Sequence, residues 1–120
     1  MDFKTRVDAL VGRGLTKTVI ANNAGIFKTE LATLTNGGRL TPAKEGLVVH
    51  FLDRLEYALK LVEADETLSA VRLDLKDGNF VKKLVEAADI VRRERQAEVE
   101  RVTAGIAECR RQIEEASPVR

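Results

Sequence analysis

Apolar residues recur every three or four positions along most of this chain, and that spacing places them on one face of an α-helix. The pattern predicts four helices in the first half of the sequence, at residues 2–12, 17–23, 27–35 and about 42–64. Thr16 and Thr41 stand where the N-caps of the second and fourth helices would lie, and Asn36-Gly37-Gly38 would end the third. We therefore expect an all-α fold that begins with a bundle of four helices.

The fourth helix has the longest apolar stripe, which should cover a core made by the first three. Its members are Val48, Phe51, Leu52, Leu55, Ala58, Leu59 and Val62. Residues 65–79 are ambiguous, because the apolar residues before Asp77-Gly78 suit either a strand or a short helix. We favour the helix, since a lone strand would have no pairing partner, and we expect Asn79 to cap the next helix.

A tight turn between two short helices is expected within residues 17–42. Gly25 supplies the left-handed backbone that a sharp turn needs, and Ala21, four residues earlier, is small enough to let the two helices touch. Ile26 would fill the corner of the turn. The apolar positions that share this fixed spacing are Ile20, Ala21, Ile26, Leu31 and Leu34. The pattern predicts a helix-turn-helix.

These positions resemble the helix-turn-helix of the λ-repressor/Cro family of DNA-binding proteins. Asn36, Gly37, Arg39 and Pro42 are similar to the N-G-x-R-x-x-P turn that often closes the recognition helix in that family. The resemblance covers roughly the first half of the chain. It implies a sequence-specific transcriptional regulator that binds an operator and represses or autoregulates, with a phage or a mobile element as the candidate source.

The resemblance makes the third helix the recognition helix, whose outward side chains would enter the major groove of double-stranded DNA. Those residues are Phe27, Lys28, Thr29, Ala32, Thr33 and Asn36. Lys28 would donate to guanine or to a phosphate, and the two threonines would hydrogen-bond to base edges. Lys17, Thr18 and Arg39 are expected to contact the phosphate backbone.

Two residues of this helix fit a groove less well. Glu30 would repel phosphates unless it accepted a hydrogen bond from cytosine or paired with a nearby basic side chain such as Lys28 or Arg39. Phe27 is unusual in a groove, and the alternative for it is a place in the protein core.

A heptad pattern of apolar residues follows in the C-terminal part. It consists of Val99, Val102, Ile106, Cys109 and Ile113. Arg92 and Arg95 interrupt its extension towards the N-terminus, so either two helices meet there or one helix continues with a polar middle. We expect this row to be the interface of a homodimer, in a chain divided into a DNA-binding domain at 1–64 and a helical oligomerisation region at 65–120.

The charge distribution agrees with that division. Residues 1–44 contain seven basic and three acidic side chains, although the whole chain has a net charge of only +1. Residues 45–120 therefore contain more acidic than basic side chains. A basic head followed by an acidic body suits a protein that contacts DNA through one end and oligomerises through the other.

The sequence shows no clear sign of a catalytic, cofactor or metal site. The single histidine, His50, falls on a polar helix face, and the single cysteine, Cys109, falls in the apolar row. Without a glycine-rich phosphate loop or a set of metal ligands, we expect no enzyme, no cofactor and no metal. The sequence also lacks an apolar stretch that would suit a signal peptide or a membrane span, so a cytoplasmic protein is expected.

Two other functions remain open from the sequence. One is a DNA-packaging or replication-initiation subunit, in which a helix-turn-helix head joins a helical body that forms a ring. The other is a helical adaptor or inhibitor that binds another protein through residues 80–116. The number of chains in the oligomer separates the first from a dimeric repressor, and failure to bind any duplex would favour the second.

Overall fold

The computed structural model describes residues 2–65 and 73–116, and all regular secondary structure in them is helical. The helices are α1 (Phe3–Gly12), α2 (Lys17–Ala24), α3 (Lys28–Thr35), α4 (Pro42–Ala64) and α5 (Gly78–Ala116). The expected all-α class is confirmed, with the long α5 following the four helices of the N-terminal half. Within the described ranges, none of these helices combines the length and apolar character that crossing a bilayer requires.

The core of the N-terminal half forms where α4 meets the shorter helices. All seven residues of the predicted α4 stripe are buried. Five of them, Val48, Phe51, Leu52, Leu55 and Leu59, belong to one core cluster with Val7 of α1, Ile20 of α2 and Leu31 of α3, and these last three are fully removed from solvent. Thr41 caps α4 as predicted, because its hydroxyl oxygen accepts a hydrogen bond from the Lys44 N–H at 3.3 Å.

The connection before α5 differs from the expectation. Residues 73–77 are not helical, so the predicted helix is wrong for this part, and the rest of it, at 66–72, lies outside the described residues. The cap of α5 is Asp77 rather than Asn79. The Asp77 carboxylate accepts hydrogen bonds from the N–H groups of Asn79, at 2.9 Å, and Phe80, at 3.4 Å, and so satisfies N–H groups of the first turn from the residue just before the helix.

Of the two possibilities for residues 80–116, the structure shows a single helix. α5 runs through Arg92 and Arg95 without a break. The interruption of the apolar pattern is therefore a polar middle, because arginine and its neighbours are good helix formers even where they bury nothing.

The chain divides into two compact units, Met1–Ala88 and Asp89–Arg120, whereas we expected a boundary after residue 64. The first turns of α5 belong to the N-terminal unit because Val81 and Val85 are buried in its core. The Asn23 side chain of α2 also donates to the Gly78 carbonyl oxygen at 3.3 Å. The apolar residues of α5 are thus buried in the N-terminal unit up to residue 88, whereas those after residue 91 are exposed.

Candidate nucleic-acid interface

The turn between α2 and α3 has the geometry that the sequence predicted. Gly25 adopts a φ of 83°, in the left-handed region, and its N–H and that of Ile26 both donate to the Ala21 carbonyl oxygen, at 3.0 and 3.1 Å. This pair of bonds ends α2 and reverses the chain. The five apolar positions of the predicted motif, Ile20, Ala21, Ile26, Leu31 and Leu34, are all buried.

The opposite face of α3 is open to solvent. Lys28, Thr29, Thr33 and Asn36 are exposed, and Ala32 is partly exposed. The structure thus brings the predicted groove residues together on one surface, which we call the α3 face. It comprises Phe27, Lys28, Thr29, Ala32, Thr33 and Asn36, with Lys17 and Thr18 exposed at the beginning of α2.

Phe27 does not enter the core. It precedes the first residue of α3 and leaves 75% of its surface exposed. An aromatic ring in water is unfavourable unless something covers it, and this one belongs to no buried cluster in the described residues. Phe27 is therefore an exposed apolar side chain at the N-terminal end of the α3 face.

Glu30 folds back onto the helix instead of projecting from it. One carboxylate oxygen accepts from the Phe27 N–H at 3.0 Å, and the other pairs with the Lys44 ammonium group. The prediction that Lys28 or Arg39 pairs with Glu30 is wrong, since the basic side chain that neutralises Glu30 is Lys44 of α4. The hydrogen bond from Lys44 and, next, that from the Phe27 N–H lower the pKa of the Glu30 carboxyl group below its ordinary value.

Arg39 also reaches α4. Its guanidinium Nε lies 3.0 Å from a carboxylate oxygen of Glu45, whose side chain is only 13% exposed, whereas that of Arg39 is 84% exposed. The first turn of α4 therefore neutralises one acidic and one basic neighbour of α3. Lys17 and Lys28, by contrast, have no ion pair in the described part of the chain, so the surface keeps an excess of positive charge.

The C-terminal end of α3 closes in a Schellman motif. Gly37 has a φ of 86° and donates to the Leu34 carbonyl oxygen at 3.2 Å, and Gly38 donates to that of Thr33 at 2.8 Å. A Cβ atom on Gly38 would lie 2.6 Å from the Thr33 methyl carbon and 2.9 Å from the Thr33 carbonyl oxygen. The turn after α3 thus requires glycine at this position for steric reasons.

This packing limits what Thr33 can do. Its hydroxyl donates to the Thr29 carbonyl oxygen at 3.0 Å, and its methyl group faces Gly38. Thr33 is exposed as predicted, but its proton and its methyl group already have partners within the chain. Lys28, Thr29 and Asn36 are the side chains of the α3 face best placed to donate to a ligand.

Sequence reasoning missed Lys44 and Glu45 as contributors to this surface. They are 14 and 6 residues distant from Glu30 and Arg39, with a turn between, so no helical spacing relates them. Only the folded position of α4 brings the charges together.

The second set of predicted site residues lies in the C-terminal unit. Val99, Val102, Ile106 and Ile113 are between 50% and 65% exposed, and Cys109 is an exposed free thiol. We call these five residues the α5 row. Within the described ranges, no three histidine, cysteine or carboxylate side chains converge as metal ligands.

Comparisons with known proteins gave no match among protein-family models, curated proteins or solved structures. The surfaces of the chain itself are therefore the guide to its function.

We expect Gly38→Ala to destabilise the protein by about 1–3 kcal/mol, because the added methyl group overlaps both the side chain and the carbonyl of Thr33. Gly46→Ala is the matched control, since Gly46 lies inside α4 with open space around it. That change should stabilise by about 0.5–1 kcal/mol through helix propensity. Urea unfolding measures both, and equal effects of the two would contradict the steric argument.

The lowered pKa of Glu30 gives a pH dependence of stability. A carboxyl group with a depressed pKa in the folded state stabilises above its ordinary pKa of about 4.3 and loses that contribution as the pH falls through the folded-state value. Wild type should therefore exceed Glu30→Gln in stability near neutral pH, and the two should converge in acid below that ordinary pKa. Urea unfolding of both proteins across the acidic range measures the difference, and a gap that widens in acid would contradict the assigned ion pair.

Proposed function

We propose that this chain is a sequence-specific DNA-binding transcriptional regulator, a repressor by its resemblance to the λ-repressor/Cro family, that acts as a dimer. The observation that carries the proposal is the α3 face: a short helix anchored from beneath by Leu31 and Leu34, with an exposed polar surface on the other side. A helix of this width fits the major groove of B-DNA, where base edges can be distinguished.

The charges around α3 support a polyanion as the ligand. Glu30 is held by Lys44, so it does not oppose phosphate, while Lys17 and Lys28 remain unpaired in the described residues. In this proposal Lys17, Thr18 and Arg39 contact phosphates and fix the position of α3. Arg39 would then share its guanidinium between Glu45 and the DNA backbone, which its exposed side chain permits.

Base contacts in this proposal come from the α3 face. Lys28 donates to guanine O6 and N7, and Asn36 can pair with the edge of adenine. Thr29 can donate or accept, and Ala32 permits close approach of the helix. Phe27 contacts the 5-methyl group of thymine, the one apolar feature of a base edge in the major groove.

A single α3 would contact too few bases for specificity, which is why the proposal includes a dimer. Two copies related by a twofold axis would present their α3 helices to half-sites about 34 Å apart. The α5 row supplies the surface for the second copy, with the partner chain covering Val99, Val102, Ile106, Cys109 and Ile113.

We expect selection from random duplex DNA to yield one preferred sequence with twofold symmetry. Lys28→Ala should lower affinity for it by about 1–3 kcal/mol and relax the preference at one base pair of each half-site. Lys60→Ala is the control, because Lys60 is an exposed lysine of α4 that borders α1. The measurement is fluorescence anisotropy at several salt concentrations, where binding should weaken steeply as salt rises. Absence of any selected sequence, or equal effects of the two lysines, would contradict the proposal.

A second prediction concerns Phe27. Replacing thymine by uracil removes only the 5-methyl group, so scanning this change through the selected site should reveal one position at which wild-type affinity falls about fourfold, the value of one buried methyl group. Phe27→Ala should bind more weakly but lose nothing further at that position. Equal losses for wild type and variant would show that Phe27 does not contact a methyl group.

The same material tests the rivals. Sedimentation that gives a ring of many chains would favour the DNA-packaging or replication-initiation subunit. Failure to bind any duplex at low salt would favour the helical adaptor.

A further inference from the structure

The α5 row is a continuous apolar surface with no cover in the described chain. Residues 99–113 extend about 21 Å along the helix at the usual rise per residue. Every residue from 92 to 116 is exposed, including the four large aliphatic side chains of the row. Large apolar surfaces of soluble proteins mark places where another molecule binds.

Gly105 is an independent sign of close contact on the same side of the helix. It borders a shallow groove together with Val102, Ile106, Cys109 and Ile113. A Cβ atom added to it would meet nothing within 4 Å. Glycine inside a helix is less favourable than alanine, and nothing within the chain compensates here. Close approach of a second backbone at this point would explain why the residue is glycine, which has no side chain to obstruct it.

The charges along the helix decide the orientation of such a partner. Arg92 and Arg95 hold the heptad positions of the α5 row at one end of the segment, and Ile113 and Ala116 hold them at the other. A parallel pair of identical helices would set Arg92 against Arg92 and Arg95 against Arg95 of the partner subunit, which is unfavourable because like charges repel. An antiparallel pair sets Arg95 against the partner's Ile113 and Arg92 against the partner's Ala116, so these like charges do not meet.

Arg95 forms no ion pair in the described residues, so nothing within the chain offsets the repulsion between two copies of it in a parallel pair. The antiparallel arrangement places the two copies of Arg95 at opposite ends of the paired segment.

We infer that residues 92–116 pair with the same segment of a second copy in an antiparallel orientation and that the two helices cross at Gly105. In the heptad register Val99 then lies opposite the partner's Cys109 and Val102 opposite the partner's Ile106, so the twofold axis passes within one residue of Gly105. The inference deepens the dimer of the proposed function and concerns the partner and geometry of the α5 row alone.

Disulfide exchange between two single-cysteine chains tests the orientation. One chain is the wild type, whose single cysteine is Cys109, and the other, with a tag of different mass, is the double variant Val99→Cys/Cys109→Ser. The chains are mixed in a glutathione redox buffer without DNA, and the products are separated by mass. Two equivalent Cys109 residues in the antiparallel pair would lie about 15 Å apart along the helix axis, which is too far for a disulfide.

The expected product is the mixed disulfide between the two chains, in excess over each homodisulfide by about tenfold or more, because only positions 99 and 109 come within bonding distance. Predominance of homodisulfides would overturn the antiparallel orientation and leave the dimer standing. Sedimentation of the reduced wild type as a monomer would overturn both the dimer and its orientation. A dimer without any cross-link would place the interface elsewhere and also overturn the inference. DNA binding enters none of these measurements, so their outcome is independent of the α3 face.

The crossing at Gly105 has its own test. Gly105→Leu should weaken self-association by about tenfold or more, because the added side chain separates the helices, although leucine favours the helix more than glycine does. Ala104→Leu is the matched control, since Ala104 lies on the helix face opposite the α5 row and gains similar bulk. Sedimentation equilibrium measures both variants. An equal effect of the two, or tighter association of Gly105→Leu, would overturn the crossing point.

Discussion

The N-terminal unit depends on burial of the apolar stripe of α4. Helices α2 and α3 have only eight residues each, and isolated helices of fewer than about 12 residues are marginal in water. They persist because side chains such as Ile20 and Leu31 pack into the cluster that α4 organises. Each fully buried aliphatic side chain of this kind contributes about 1.5–3 kcal/mol relative to exposure, and α4 provides seven buried positions.

The same helix also sets the charge of the surface beside it. Lys44 and Glu45 are adjacent in its first turn, yet one reaches the beginning of α3 and the other reaches the loop after it. The core thus determines where α3 lies, and the end of α4 determines which charges around α3 remain unbalanced. A protein that is almost neutral overall can in this way present a locally basic face, because the distribution of charge follows from packing rather than from composition.

Much of the N-terminal half could be predicted because its signals are local. Thr16 and Thr41 cap helices by bonds that span three residues, and Gly25 ends α2 through bonds to Ala21, so neighbours in sequence suffice. The partner of Glu30 could not be predicted, since Lys44 approaches it only after α4 has docked. The burial of Val81 and Val85 in the N-terminal unit could not be predicted for a related reason: both continue the register of the α5 row, and periodicity does not tell which surface an apolar stripe meets. The cap of α5 is Asp77 and not Asn79. The sequence could not distinguish them, because both residue types cap helices and the two stand only two positions apart.

The steric demand at the end of α3 also bears on how this chain can diverge over evolutionary time. Gly37 requires a left-handed backbone, which asparagine can also adopt, so a drifting lineage has a second choice there. Gly38 faces the Thr33 carbonyl oxygen, which no substitution at position 33 removes. Distant relatives that keep this turn should therefore retain glycine at the second position even where the first has changed. That asymmetry gives a signature for finding them when overall sequence similarity has been lost.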